Sequence, residues 1–157
     1  MKAEIISIGD ELLIGQVINT NQAFIAEKLN SIGISISRMT TVGDEEQAII
    51  GSFAEALDNC DLVLVTGGLG PTHDDITRTA VCKFFGTDLV VNAEALHRVR
   101  GFFERRGIIP KRINEDQALV PRDCNVIQNN HGTAPGFFFE RDGRCRIAMP
   151  AVPFEMK

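Results

Sequence analysis

Residues 61–70 read DLVLVTGGLG, and this stretch is the strongest indication of the fold. Its near-continuous apolar run has the length of a strand and predicts burial on both faces, as in a parallel sheet covered by helices. The glycines that follow, Gly67, Gly68 and Gly70, predict a loop whose backbone lies close to another group, since a merely connecting turn does not need so many. We therefore expect an α/β sheet with a glycine-rich loop after one of its strands.

Strand and helix patterns alternate on either side of this stretch, which is typical of parallel βαβ units. The helix that opens at Asp44 is expected to be capped by that aspartate and to bury one stripe of its surface. The predicted strands are 3–9, 34–42 and 61–67, and the predicted helices are 21–30, 75–85, 93–106 and the one that opens at Asp44, with the buried stripe Ile49, Ile50, Phe53, Ala54 and Leu57.

A late hairpin changes this alternation. Residues 136–150 read GFFFERDGRCRIAMP, and Asp142-Gly143 between two strand-like runs is the strongest short-range signal of a β-hairpin. The sheet is therefore predicted to be mixed, with a parallel centre, an antiparallel hairpin and helices on both faces. We expect one domain over residues 1–157 that is cut near its C-terminus, because Pro153 suits the first turn of a helix that the chain does not complete.

Composition excludes several classes of partner. The net charge is -5 with a pI near 5.2, and no segment gathers Lys and Arg into a long run, so we expect no nucleic acid partner. No apolar run reaches the roughly 20 residues of a membrane span, and no signal-peptide core is present, so we expect no membrane association and a cytoplasmic location. The four cysteines form no C-x-x-C pair, which favours buried reduced thiols over a zinc site.

The glycine-rich loop suits a phosphate. In an open parallel sheet, ligands bind beyond the carboxyl ends of the strands, and glycine amides together with a helix start near Asp75 can hold an anion there. The adjacent carboxylates of Asp74 and Asp75 would repel a phosphate unless a cation intervened, which predicts a divalent metal ion shared with the ligand. The alternative is a tight turn followed by an ordinary helix cap.

Acidic residues also follow the first two predicted strands. Asp10 comes directly after the first strand and Asp44 after the second. If these strands are parallel neighbours, both acids lie at the same edge of the sheet as Asp74 and Asp75 and form a metal or acid/base constellation. Each of them alone also fits a helix cap or a turn residue.

Five motifs carry a resemblance to a known family. They are GDELLIGQVINTN at 9–21, VGD at 42–44, TGGLGPTHDDIT at 66–77, GTAPG at 132–136 and MPAVPFEM at 149–156. Together they resemble the N-terminal domain of the CinA family, which is similar in turn to the molybdopterin-binding domains of MoaB, Mog and MoeA. The resemblance spans essentially the whole chain and implies a three-layer αβα fold with a site for a phosphate-bearing ligand at the strand ends.

The resemblance also implies an activity. In CinA-type domains it is hydrolysis of the pyrophosphate of ADP-ribose with a divalent metal ion, and relatives are oligomers, so we expect a hydrolase acting on ADP-ribose or a related nucleotide and forming a homo-oligomer. The expected cofactor is Mg, Mn or Co held by Asp75, Asp44 and Asp10, with Asp44 and Asp75 catalytic and Asp44 as the base. The expected ligand-binding residues are Gly9, Asp10, Asn21, Gly67, Gly68, Gly70, Thr72, His73, Asp74, Thr77, Pro150 and Pro153.

Three positions depart from the patterns of relatives. Leu69 stands where the molybdopterin enzymes usually carry Thr, and Asp74 stands where they carry an Arg that would clamp a phosphate. Ala151 replaces a glycine that CinA-like sequences usually have, and it would be strained if the position needs a positive φ. The alternatives to hydrolysis are molybdopterin binding or adenylylation, or a non-catalytic nucleotide-binding or oligomerisation module.

Overall fold

The structure, a computed structural model, describes residues 1–70 and 76–151. Its strands are β1 Lys2–Ile8, β2 Ser35–Val42, β3 Leu62–Thr66, β4 Leu89–Val91, β5 Leu119–Pro121, β6 Asn125–Ile127, β7 Gly136–Arg141 and β8 Arg144–Met149. Its helices are α1 Asp10–Leu13, α2 Thr20–Ser31, α3 Glu46–Asn59, α4 Thr77–Phe85, α5 Ala93–Glu104 and α6 Arg112–Glu115, and a 3-10 helix spans Asp116–Ala118.

The main sheet is mixed and mostly parallel. It has six strands in the order β2-β1-β3-β8-β7-β6, and the first four are mutually parallel. The predicted hairpin is confirmed as β7 and β8, which turn at Asp142 and Gly143 with φ of 55° and 71°. Two consecutive positive φ angles match a type I′ turn, so the local sequence and the antiparallel pairing agree.

Helices cover both faces, because successive side chains of each central strand point to opposite sides. Ile6 and Ile8 of β1 pack with α3 and α4 in one hydrophobic cluster. Ala3 and Ile5 of the same strand pack with Ile25 of α2 in another. The predicted three-layer αβα fold is confirmed.

The start of α3 differs from the sequence prediction. Asp44 does not cap this helix, because the N-cap residue is Glu45 and no side chain caps its amides. The buried stripe is also shifted, since Ala54 is exposed while Ser52 and Ala56 are buried. The short helix α1 and the separate two-stranded sheet of β4 and β5 were not predicted, since each is too brief to show a period in sequence.

The amino-terminal half of β1 buries a charge. Glu4 is 0% exposed, and its Oε1 accepts hydrogen bonds from Arg38 Nε at 2.7 Å and Thr40 Oγ1 at 2.8 Å. Arg38 also reaches Glu55 at 3.0 Å. The register between β1 and β2 shifts after Ala3, and Arg38 is paired opposite Glu4 beyond this irregularity. The buried carboxylate is therefore supplied with donors by the adjacent edge strand.

The four thiols are free, as the sequence predicted, and two of them have raised pKa values. Burial raises the pKa of Cys124 from 9.0 to about 11. Burial and the nearby Asp88 carboxylate raise the pKa of Cys82. Both thiols therefore stay protonated at neutral pH, which makes them poor nucleophiles. No helix in residues 1–70 and 76–151 is long and apolar enough to cross a bilayer.

Candidate functional site

The carboxyl ends of β2, β1, β3 and β8 meet at one edge of the sheet, because these neighbouring strands are parallel. Backbone hydrogen bonds continue past the strand ends, from the Gly9 amide to the Val42 carbonyl at 3.0 Å and from the Gly67 amide to the Met149 carbonyl at 3.3 Å. The motifs that follow these strands are therefore held side by side. This is the edge at which open α/β sheets bind ligands.

Asp10 and Asp44 form a reciprocal pair at this edge. The Asp10 amide donates to Asp44 Oδ2 at 3.0 Å, and the Asp44 amide donates to Asp10 Oδ1 at 3.1 Å. Neither side chain is buried. Two carboxylates are thus fixed close together on neighbouring loops. The predicted convergence of these two acids is what the structure shows, although the reciprocal bonds were not predicted.

Two glycines of the loop after β3 have a reason within the protein to lack a side chain. A Cβ on Gly67, at φ +116°, would lie 2.1 Å from the Ile8 carbonyl oxygen. A Cβ on Gly68, at φ +62°, would lie 2.2 Å from Thr77 Oγ1. The group that comes close to this backbone is therefore the protein itself. Ligand binding by Gly67 and Gly68 stays a prediction.

Glycines at the other strand ends make room for carboxylates. A Cβ on Gly9 would meet the Glu11 carboxylate at 2.4 Å, and a Cβ on Gly43 would meet Asp10 Oδ1 at 2.5 Å. The acidic side chains thus lie directly over the backbone of the strand ends. The sequence signal for this arrangement is the repeated Gly-acid pattern after β1 and β2.

Side chains tie the C-terminal segment to the same edge. Thr66 Oγ1 donates to the Pro150 carbonyl at 3.1 Å, and Asn21 Nδ2 donates to the Ala151 carbonyl. Asp142 is the one described non-glycine residue with a positive φ, so Ala151 is not in the left-handed region and the expected strain is absent. Residues 149–151 therefore close one side of the site, and the backbone of Ala151 is not strained there.

A cleft of about 410 Å³, including the solvent at its mouth, opens between the end of β1 and the start of α2. Ser7 and Thr66 line it from the strands, and Ala151 lines it from the C-terminal segment. The remaining lining residues belong to one stretch that includes α1 and enters α2: Ile8, Glu11, Leu12, Val17, Ile18, Asn19, Thr20 and Asn21.

Two further residues near the loop were not predicted. Arg78, in the first turn of α4, donates to the Gly70 carbonyl at 2.8 Å and to the Asp116 carbonyl at 2.6 Å, so it links the glycine-rich loop to the 3-10 helix. Leu69 is 3% exposed and belongs to the core cluster beneath the loop. Leu69 therefore anchors the glycine-rich loop on the hydrophobic core.

The predicted site is covered only in part by the described residues. Gly9, Asp10, Asn21, Asp44, Gly67, Gly68, Gly70, Thr77 and Pro150 all lie at or near the carboxyl edge. Thr77 is fully buried at the start of α4. The predictions for Thr72, His73, Asp74, Asp75 and Pro153 lie outside the described residues.

The donors for a metal ion at this edge are few. Within residues 1–70 and 76–151, no group of three or more His, Cys, Asp or Glu side chains could hold a metal ion. Asp10 and Asp44 supply two carboxylates. A Mg²⁺-type ion commonly takes one or two carboxylates and completes its shell with substrate phosphate oxygens and water. The donor set fits an ion shared with a phosphate-bearing ligand rather than a closed structural site.

The sequence model of the family described as "Probable molybdopterin binding domain" matches residues 4–157. The chain therefore belongs to this family of molybdopterin-binding domains, in the branch that includes CinA. The resemblance drawn from the motifs is confirmed.

Relatives and solved structures agree with this membership. A CinA-like protein of Chloroherpeton thalassium is 48% identical over 161 aligned positions, which cover 100% of this chain and 38% of the relative's length. The crystal structure of CinA from Thermoplasma acidophilum, described as of unknown function, superposes with a TM-score of 0.88 at 36% identity, covering 99% of this chain and 90% of that one. MoaB from Thermus thermophilus shares the fold, with a TM-score of 0.64 at 18% identity, covering 99% of this chain and 84% of that one.

Proposed function

We propose that this domain hydrolyses the pyrophosphate of ADP-ribose, or of a related nucleotide, with a divalent metal ion. The observation that carries the proposal is the reciprocal pair of Asp10 and Asp44 at the carboxyl edge of the sheet. Two carboxylates held together on neighbouring strand ends are costly unless a cation or a proton offsets their repulsion. A phosphate-bearing ligand with its divalent ion supplies that offset.

Asp10 and Asp44 would hold the ion, together with Asp75 of the TGGLGPTHDDIT motif as the family resemblance implies. The chemistry that such an ion supplies when bound is polarisation of the phosphoryl group and neutralisation of charge on the leaving phosphate. The amides of Gly68 and Gly70, with those near Thr77, would hold one phosphate.

Asp44 is the proposed general base. Its carboxylate takes a proton from a water molecule while the water oxygen bonds to one phosphorus of the pyrophosphate. The bond from that phosphorus to the bridging oxygen breaks, and the bridging oxygen leaves with the other phosphate. The products are two monophosphates, AMP and ribose phosphate in the case of ADP-ribose. Asp10 orients the base through the hydrogen bond from the Asp44 amide to Asp10 Oδ1.

The test is release of AMP from ADP-ribose by the purified chain with Mg²⁺, Mn²⁺ or Co²⁺ and with EDTA. Asp44→Asn keeps a side-chain oxygen for the Asp10 amide but removes the base, and we expect a loss of about 100-fold or more in kcat/KM. Asp75→Asn is expected to lose metal-dependent release as well. Asp58→Asn changes an exposed aspartate at the far end of α3 and is expected to leave the rate unchanged. Equal rates in EDTA and in metal, or full activity of Asp44→Asn, would contradict the proposal.

Molybdopterin binding is the second candidate, and membership in the molybdopterin-binding family favours it. Two positions argue against it. Leu69 is packed into the core where those enzymes carry Thr, and Asp74 replaces an Arg that would pair with phosphate. Fluorescence of oxidised pterin released from the purified chain tests this candidate. A stoichiometric pterin without ADP-ribose hydrolysis would favour cofactor binding over hydrolysis.

A further inference from the structure

Ser7 is a polar residue of the site to which the described part of the fold gives no structural role. It lies one residue before the end of β1 and is 0% exposed, and its Oγ has no hydrogen-bond partner among the described residues. A buried hydroxyl without a partner costs about as much as a lost hydrogen bond. Most such groups in folded proteins are satisfied, so this one calls for an explanation.

The position of Ser7 gives it access to the cleft. Alternation along β1 puts Ser7 on the same face as Ile5, toward α2, while Ile6 and Ile8 pack on the α3 side. Ser7 is also one of the residues that line the cleft of about 410 Å³. Ser7 is therefore buried in the strand and is still one of the residues that border the open volume.

Three of the other polar side chains that line the cleft are already engaged, and a fourth is acidic. Thr66 Oγ1 donates to the Pro150 carbonyl at 3.1 Å, and Asn21 Nδ2 donates to the Ala151 carbonyl. Asn19 exchanges hydrogen bonds with Gln22. Glu11 brings a carboxylate, which only accepts hydrogen bonds.

The described part of the lining therefore disfavours an anion and favours a neutral group rich in hydroxyls. No Lys, Arg or His is among the described residues that line the cleft. A phosphate would meet the Glu11 carboxylate there without a compensating charge. A sugar hydroxyl can donate to Glu11 and exchange a hydrogen bond with Ser7 Oγ, while the sugar carbons pack on Leu12 and Val17.

We propose that the cleft beside β1 binds a ribose of the nucleotide and that Ser7 Oγ is a positioning residue that hydrogen-bonds one of its hydroxyls. This inference rests on the proposed function, since it places the sugar next to the phosphate site of the same ligand. The phosphates and the sugar of the ligand then bind at separate places on the carboxyl edge. The phosphates lie at the glycine-rich loop and the Asp10–Asp44 pair, and the sugar lies in the cleft on the α2 face.

The test is calorimetric binding of ADP-ribose and of ADP in EDTA, where the proposed hydrolysis cannot run, and again with Ca²⁺. Ser7→Ala removes only the hydroxyl, and we expect it to weaken ADP-ribose about three- to tenfold, the value of one hydrogen bond. Ser52→Ala is the matched control, because Ser52 is also buried but donates to the Ile49 carbonyl within α3, away from the cleft. It is expected to leave both dissociation constants unchanged.

The two ligands distinguish the two riboses. A loss for ADP-ribose alone assigns the cleft to the terminal ribose, and an equal loss for ADP assigns it to the ribose of adenosine. Thermal unfolding of the ligand-free variants adds a second readout. If Ser7 positions a ligand, Ser7→Ala is expected to melt at or above the temperature of the unmodified chain, because it removes an unpaired buried hydroxyl.

Unchanged binding of both ligands by Ser7→Ala would overturn the inference, whatever the melting temperature of the variant. Failure of the proposed function would give different experimental outcomes. If the unmodified chain binds ADP-ribose but releases no AMP with any metal, hydrolysis is wrong, while weaker binding by Ser7→Ala still supports the ribose assignment. If the unmodified chain binds neither ligand under either condition, both proposals are overturned.

Discussion

The two halves of β1 treat buried polar groups in opposite ways. Glu4 and Ser7 lie on one strand, and both are 0% exposed. The Glu4 carboxylate accepts from Arg38 and Thr40 at 2.7 and 2.8 Å, whereas Ser7 Oγ has no partner among the described residues. A buried charge that serves the fold is supplied with donors by the fold itself. A buried hydroxyl left without one, beside a cleft, is available to a ligand.

Thr77 extends the contrast along the carboxyl edge. It is 0% exposed, and its Oγ1 also lacks a partner among the described residues. The Gly68 backbone passes so close to this hydroxyl that only a glycine fits. Among the described residues, the carboxyl edge therefore holds two buried hydroxyls without a hydrogen-bond partner, those of Ser7 and Thr77. We therefore expect the polar groups around Glu4 to stabilise the fold and the hydroxyls of Ser7 and Thr77 to be available for binding.

The largest expected effect on stability is at the amino end. Arg38→Met leaves the Glu4 carboxylate buried without its cation, and we expect a loss of about 3 to 5 kcal/mol in the free energy of unfolding, measured in urea. Arg100→Met is the matched control, because Arg100 pairs with Glu115 at the same 2.7 Å but Glu115 is 32% exposed against 1% for the Glu4 side chain. Its stability is expected to change little. Equal losses of unfolding free energy in the two variants would show that burial of the Glu4 carboxylate does not matter.

The glycine-rich loop gives the next effect. Gly67→Ala and Gly68→Ala each place a Cβ at a positive φ and within 2.2 Å of another atom, and we expect each to cost about 2 to 4 kcal/mol in unfolding free energy. The atom that the new Cβ would meet differs between the two glycines. Thr77→Ala removes the hydroxyl that opposes Gly68, so it should recover part of the loss from Gly68→Ala and none from Gly67→Ala, whose neighbour is the Ile8 carbonyl. Equal recovery at both glycines would show that the clash is not the cause.

A pair of threonines tests the contrast between the two ends directly. Thr40→Val removes a donor to a buried carboxylate, and we expect it to cost about 1.5 to 3 kcal/mol of unfolding free energy. Thr77→Val removes a hydroxyl that has no described partner, and we expect a change within about 0.5 kcal/mol. Chemical denaturation of the two variants under the same conditions measures both. A larger loss at Thr77 than at Thr40 would mean that the carboxyl edge is built for stability after all.

The smallest effect is a dependence on pH. Burial raises the pKa of the Cys124 thiol from 9.0 to about 11, so the folded state holds its proton at pH values where the unfolded chain has lost it. The free energy of unfolding that the buried, protonated Cys124 thiol contributes is therefore fully present below about pH 9. It is lost as the pH rises toward 11. Unfolding free energy measured from pH 8 to 11 should fall less for Cys124→Ala than for the unmodified chain. Identical slopes would contradict the raised pKa.

The sequence predicts the architecture where side-chain period and burial agree. The buried strand at 61–67, the alternation with helices and the Asp142-Gly143 hairpin each follow from local pattern, and all are confirmed. Convergence of Asp10 and Asp44 at one edge also follows, because parallel strands bring their ends together. The motifs at 9–21 and 66–77 add the family, which period alone does not indicate.

The site itself depends on register, which local pattern does not determine. The bonds between Asp10 and Asp44 require β1 and β2 to be aligned at Ile8 and Val42. The donors around Glu4 require the irregular pairing of β1 with β2 after Ala3. The signal that could have marked Ser7 and Glu4 is visible in sequence, since both are polar residues inside an otherwise apolar strand.

Amide chemical-shift mapping of the ¹⁵N-labelled chain with ADP-ribose locates the bound nucleotide whether or not hydrolysis follows. We expect shifts at the strand-end amides of Gly9, Asp10, Gly67 and Gly68 and at Ser7, and none at Glu4 or Arg38. Ser7→Ala should reduce the shifts on the α2 face and retain those of the glycine-rich loop. Shifts confined to other surfaces, or equal shifts at the two ends of β1, would contradict the assignment of the carboxyl edge as the ligand site.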